Sequence, residues 1–186
     1  MAYYDNKIDD ALKFLQSPQL TNPMGDKPIA YVAYDPADAI DIDKAIVDVV
    51  KPKANFWGYK NIKVLKMGSV IDEAIKNSKN YRLFTNSRFK ESMVFEGVRS
   101  DILNSKCMSK AILSTQDEMK GKDNPLIIIT ELEMLHPFER LGNFENDHYN
   151  DIIVPMLILY PGINKGIARS FLGVNDIDGN YRSKNF

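Results

Sequence analysis

Continuous and periodic apolar stretches alternate along this chain of 186 residues. Leu126-Ile-Ile-Ile-Thr130 and Ile152 through Tyr160 are unbroken apolar runs, the signature of strands buried on both faces. Ile29-Ala-Tyr-Val-Ala-Tyr34 reads as the first strand and Ile62 to Met67 as the second, ended by Gly68-Ser69. Gly166 to Val174 alternates and predicts a further strand, with Tyr160-Pro161-Gly162 as the turn closing the strand before it. Helical spacing fills the gaps. Tyr4, Ile8, Leu12 and Leu15 make one face of a helix over 3–16 that stops at Ser17-Pro18. Three prolines and a glycine make residues 17–28 an irregular arm, and the terminal helix is expected to dock on the domain.

After Tyr34, Asp35-Pro36 forms a helix start, the aspartate capping and the proline in the first turn. Ala39, Ile42, Ile46 and Val49 carry its inward stripe, and residues 52–59 read as a linker bearing Phe56, Trp57 and Tyr59. Ser69-x-x-Asp72 opens another helix, and residues 80–120 are expected to be helical with a break near Gly97. Strands alternating with helices predict one α/β domain over 1–186, with its N-terminal helix and arm in 1–28. The expected architecture is three-layered: a mainly parallel sheet of about five strands flanked by helices, of degenerate P-loop or Rossmann-like type.

Composition narrows the function classes. Net charge is −1, so no global basic field favours a nucleic-acid backbone, and direct DNA binding is not expected. A local option exists at Arg82, Arg88, Lys90 and Arg99, interleaved with Tyr81, Phe84 and Phe89. A single cysteine, Cys107, excludes an internal disulfide and a cysteine-based zinc cluster. No apolar run approaches the roughly 20 residues of a membrane span, and no secretory leader is visible. A cytoplasmic protein without membrane contact is expected.

Candidate chemistry is sparse. A phosphate loop needs glycines and a lysine before Ser/Thr, whereas the first strand-to-helix turn is Tyr34-Asp35-Pro36-Ala37. Glu131 and Glu133 follow a buried strand, but without a phosphate loop they read as loop or interface acids. His136 has no serine or cysteine partner in its sequence context, and its spacing to His148 is not a metal pattern. Asp176-x-Asp178-x-Asn180 is similar to the start of a calcium loop, but its glycine falls at the fourth position and no closing glutamate follows. Neither a cofactor nor a metal is expected.

The last third carries a series of short elements in order. They are Pro125-Leu-Ile-Ile-Ile-Thr130 leading to His136-Pro137-Phe138, Val154-Pro155 through Tyr160-Pro161-Gly162, Arg169-Ser-Phe-Leu-Gly173, and Asn180-Tyr181-Arg182. In this order and spacing they resemble the BrxB family of the bacteriophage-exclusion (BREX) defence systems. Pro28-Ile-Ala-Tyr31 and Tyr34-Asp35-Pro36 agree more loosely, and His136 stands where the family tends to have an aromatic or aliphatic residue. The resemblance implies a non-enzymatic adaptor in an assembly that methylates host DNA and restricts phage. Its implied partner is a PglZ-type phosphatase-like protein, with the system's ATPase and methyltransferase as further candidates. His136, Phe138, Tyr160, Arg169, Tyr181 and Arg182 are the expected partner-contact residues. The alternative expectation is a degenerate nucleotide-binding or hydrolysing enzyme that uses Glu131 and Arg169.

Overall fold

The computed structural model describes residues 2–21, 26–86, 89–165, 168–173, 177–178 and 183–186. Helix α1 (Ala2–Leu15) leads through the 3-10 turn Pro18–Thr21 to strand β1 (Ile29–Tyr34). A 3-10 turn (Pro36–Asp38), α2 (Ala39–Ala45), a π-helical turn (Ile46–Val50) and α3 (Lys51–Phe56) connect it to β2 (Asn61–Lys66). Then come α4 (Met67–Lys76), α5 (Tyr81–Phe84), α6 (Glu91–Ser105), α7 (Cys107–Met119) and β3 (Pro125–Thr130). The 3-10 turn Leu132–Leu135 and α8 (Leu141–His148) precede β4 (Met156–Lys165). The chain closes with β5 (Ala168–Phe171), β6 (Ile177–Asp178) and β7 (Lys184–Asn185).

The central sheet runs β2-β3-β4-β1-β7, and every pair along it is parallel. This is the mainly parallel, helix-flanked sheet of about five strands that the apolar runs predict. Both faces are covered, which explains why β3 and β4 are continuous rather than alternating. Tyr31, Ile127, Ile129, Met156 and Ile158 face α4, α6, α7 and α8. Ala30, Val32, Leu126, Ile128, Leu157 and Leu159 face α1, α2 and α3. Helix α1 docks through Ile8, Ala11, Leu12 and Leu15, all buried, as its stripe predicts.

Several boundaries differ from expectation. Residues 52–59 are not a linker, because the helix continues to Phe56. Pro52 has no amide and its ring would clash with the carbonyl four residues back. The π-helical turn just before it widens the spiral, so Pro52 lies in the first turn of α3. Tyr59 and Trp57 pack inward, the latter donating from Nε1 to Asp9 at 3.2 Å, while Phe56 is 84% exposed. Gly68-Ser69 does not break the chain, since α4 begins at Met67 directly after β2. Helix α6 runs through Gly97 without a break, because the Phe84 ring lies where a side chain would stand. The real break is Lys106, whose φ of 51° turns α6 into α7.

Tyr160-Pro161-Gly162 is not a turn either. Strand β4 passes straight through it, pairing parallel with β1 as far as Pro161 and antiparallel with β5 from Gly162 onward. Pro161 has no donor to lose where the ladder changes partner, and its carbonyl accepts from Leu172 N at 2.9 Å. The predicted strand 166–174 is shorter, Ala168–Phe171. The expected features at Gly166, Val174, Asp176 and Gly179-Asn180-Tyr181-Arg182 lie outside the described residues, as does Arg88.

Candidate functional site

In an open α/β sheet, ligands meet the carboxyl ends of the strands. At the end of β1, Asp35 caps the next turn, its Oδ1 accepting from Ala37 N at 2.9 Å. The Asp35 amide donates to the Tyr4 hydroxyl at 3.2 Å, and that hydroxyl donates to Asp38 Oδ2 at 2.7 Å. Helix α1 thus closes the turn that would hold a phosphate in a nucleotide-binding sheet. Of its backbone amides, Pro36 has none, and those of Asp35 and Ala37 are engaged by the chain itself.

The ends of β2 and β3 carry a polar cluster. Lys66 Nζ bridges Asp43 at 2.6 Å and Glu131 at 2.9 Å. Hydrogen bonds donated by Lys66 to these two carboxylates raise its pKa and hold the lysine charged. Glu131 adopts φ 59°, which turns its carboxylate over the first turn of α4, where the helix dipole favours an anion. Gly68 leaves room for it, since a Cβ there would collide with Glu131 Oε2. Tyr34 donates to Glu133 at 3.1 Å, and burial together with Glu133 pushes its phenol far above the ordinary range. Glu131 is therefore committed to an internal ion pair beside α4.

Four of the expected partner-contact residues, His136, Phe138, Tyr160 and Arg169, lie in or just after β3, β4 and β5. The His136 and Phe171 rings lie 6.3 Å apart, Tyr160 and Phe171 5.5 Å, and Phe138 and Phe95 of α6 5.7 Å. The Arg169 guanidinium stacks 3.4 Å above the Tyr31 ring and 5.4 Å from that of Tyr160. It donates to Asn185 Oδ1 at 2.7 Å and Ser183 Oγ at 3.4 Å. Glu145 of α8 joins the network, accepting from the Tyr31 hydroxyl and, at 3.1 Å, from Ser183.

This placement corrects the sequence reading. Tyr160 (3% exposed) and Arg169 (2%) are enclosed by the chain, so their contacts are internal. His136 is exposed and Phe138 half-buried. Tyr181 and Arg182 lie outside the described residues. Among the interactions described above, Arg169 and Glu131 share no partner. Sequence reasoning missed Glu145, which sits in a stretch, Asn143 to Asn150, polar enough to read as loop. Phe144 and Leu141 at helical spacing were the signal that it is a helix with a buried side. His148 pairs through Nδ1 with Asp151 Oδ2 at 3.0 Å.

A second area is open to solvent. Helices α5 and α6 enclose a groove of about 220 Å³ lined by Leu83, Phe84, Phe89, Met93, Val94 and Gly97, with Asn80 at its edge. Met93 is 61% and Leu83 47% exposed, and Tyr81, Phe89 and Phe95 also show large apolar area. Arg82, Lys90 and Arg99 are exposed in the same region.

Fold and site together define an α/β protein whose strand-end polar groups are spent on internal bonds and whose apolar groups are partly left outside. No family model, no characterised protein and no solved structure matches the chain. Among the described residues no helix is long and apolar enough to cross a membrane.

Proposed function

We propose that the chain is a non-catalytic adaptor of a BREX-type defence assembly that binds a PglZ-type phosphatase-like protein in the cytoplasm and supports host methylation and phage restriction. The observation that carries the adaptor reading is the exposed apolar surface on α5 and α6, since contiguous exposed patches of this kind mark protein contacts. The assignment to the defence system rests on the ordered elements from Pro125 to Arg182. Occupation of the Asp35 and Ala37 amides supports an adaptor over a nucleotide-using enzyme, because a phosphate has no free backbone donors at that turn.

Co-expression with a PglZ-type protein, the ATPase and the methyltransferase tests the reading. Stable co-purification with the PglZ-type protein at ordinary salt is the expected result. A chain that ignores every component of the system refutes it.

A further inference from the structure

The groove between α5 and α6 has walls of two kinds. Its floor is apolar: Phe84 packs against Gly97, whose missing side chain lets the ring approach, while Leu83, Phe89 and Met93 rise around it. Its surroundings are basic. Between residues 79 and 101 the sequence holds five basic residues (Lys79, Arg82, Arg88, Lys90 and Arg99) against three acidic ones, Glu91, Glu96 and Asp101, the last of them bound by Asn80 at the groove's edge, in a chain whose net charge is −1. Lys79, Arg82, Lys90 and Arg99 form no ion pair among the described residues. By contrast, the neighbouring Lys76 is tied to Asp72 at 2.6 Å. The basic charge beside the groove is thus unspent, and exposed apolar positions accompany it.

We infer that this groove docks an acidic amphipathic helix of a partner protein. Such a helix lays apolar residues at i, i+3, i+4 and i+7 into a hydrophobic groove, and carboxylates on its flanks would meet Arg82, Lys90 and Lys79. The aliphatic share of the lining, Leu83, Met93 and Val94, fits leucine or phenylalanine anchors better than stacked bases, which need flat aromatic platforms. Methionine adapts to irregular anchors, as promiscuous helix-binding surfaces use it. The inference rests on the adaptor reading and names the part of the partner that is held.

The probe is a labelled 16-residue peptide with Leu and Phe at i, i+3, i+4 and i+7 and glutamate elsewhere. Its comparator carries lysine in place of glutamate, and binding to the full chain is read by fluorescence anisotropy. The acidic peptide is expected to bind at least tenfold more tightly than the basic one. Met93→Glu should weaken it at least tenfold, and Lys90→Glu should weaken it and flatten its salt dependence. Lys90 is exposed and lies just before α6, so this second variant serves if Met93→Glu fails to fold.

Equal affinity for both peptides, no loss in the variants, or displacement by a single-stranded oligothymidine overturns the proposal. So does self-association that Met93→Glu abolishes, which would make a second copy the occupant. The partner assay separates the two readings. A PglZ-type protein captured equally by wild type and Met93→Glu removes the groove and keeps the adaptor. A chain that binds the acidic peptide but no component of the system does the reverse.

Discussion

Replacing Gly162 by alanine tests whether Tyr160-Pro-Gly162 is a demand of shape. A methyl group at this position would stand 3.0 Å from Cε1 of Tyr160 and 3.2 Å from the carbonyl carbon of Ser170, and closer still to that carbonyl's oxygen. Carbon prefers neighbours at about 3.5–4.0 Å, so β4 and β5 must separate locally by the better part of an ångström. Overpacking of this sort costs about 1–3 kcal/mol. Loosening one or two ladder hydrogen bonds beside it adds about 1 kcal/mol each. A total of about 3 kcal/mol lowers the melting temperature of a chain this long by roughly 6–12 °C. Gly121→Ala is the control. Gly121 has φ 82° but nothing within 4 Å of the added carbon, so it pays backbone strain alone, about 1 kcal/mol. Urea and thermal unfolding of both variants give the comparison, with an unchanged m-value showing that the two-state span is the same. If Gly162→Ala loses no more than Gly121→Ala, the handover of β4 from β1 to β5 does not depend on glycine.

Arg169→Met removes the stack on Tyr31 and the bonds to Asn185 and Ser183. It is expected to cost about 3 kcal/mol and to speed amide exchange at Lys184 and Asn185, read by hydrogen exchange. Burial raises the Glu139 carboxyl above its usual value, and its Oε2 has no hydrogen-bond partner among the described residues. A carboxyl that holds its proton more tightly folded than unfolded favours the fold most below the unfolded value of 4.5, and that contribution is lost as pH rises from there through the folded value. Urea midpoints of Glu139→Gln should therefore lack the part of the decline above pH 4.5 that the wild type shows. Millimolar Mg-ATP should leave the melting temperature unchanged. A nucleotide present at about 100 times its Kd would add about 2.7 kcal/mol, and a shift of that size would reopen the nucleotide reading.

The sheet was readable because its burial is two-sided. Ile127, Ile128 and Ile129 alternate between two covered faces, so every position must be apolar, and the shortness of the run, its β-branched residues and the Asn124-Pro125 before it mark it as a strand. The helix α1 stripe was readable for the equivalent reason at helical period. Boundaries failed where a tertiary contact overrode a local signal. Gly97 is tolerated inside α6 by Phe84, Gly68 inside α4 by Glu131, and Pro52 inside a helix by the π-helical turn before it. In each case the residue usually taken as a breaker is a place where something else comes close. The site was less readable still. Hydropathy does not distinguish an exposed tyrosine from one stacked in a core, so Tyr160 and Arg169 looked like surface anchors. Arg169 is held by Ser183 and Asn185, 14 and 16 residues further along the chain, and Tyr160 by the rings of Tyr31 and Phe171.

That burial changes what the family-like elements can do. His136-Pro-Phe138 follows β3, Tyr160-Pro-Gly162 lies within β4, and Arg169 and Phe171 belong to β5, yet they converge on one packed cluster. Tyr160, Arg169 and Phe171, enclosed within it, are poorly placed to gain energy from a partner, because little of their surface remains to be removed from water. The cluster can hold a neighbouring element in place instead. Phe138 touches Phe95, and Phe95 belongs to α6, the helix that supplies Met93 and Gly97 to the open groove. The chain of contacts Tyr160–Phe171–His136 thus leads, through the short turn to Phe138, onto the back of the surface proposed for docking. On this view the residues most recognisable in the sequence support the interface, and the residues that make it, Leu83, Phe89 and Met93, belong to the segment whose basic and aromatic residues read in the sequence as a local nucleic-acid option.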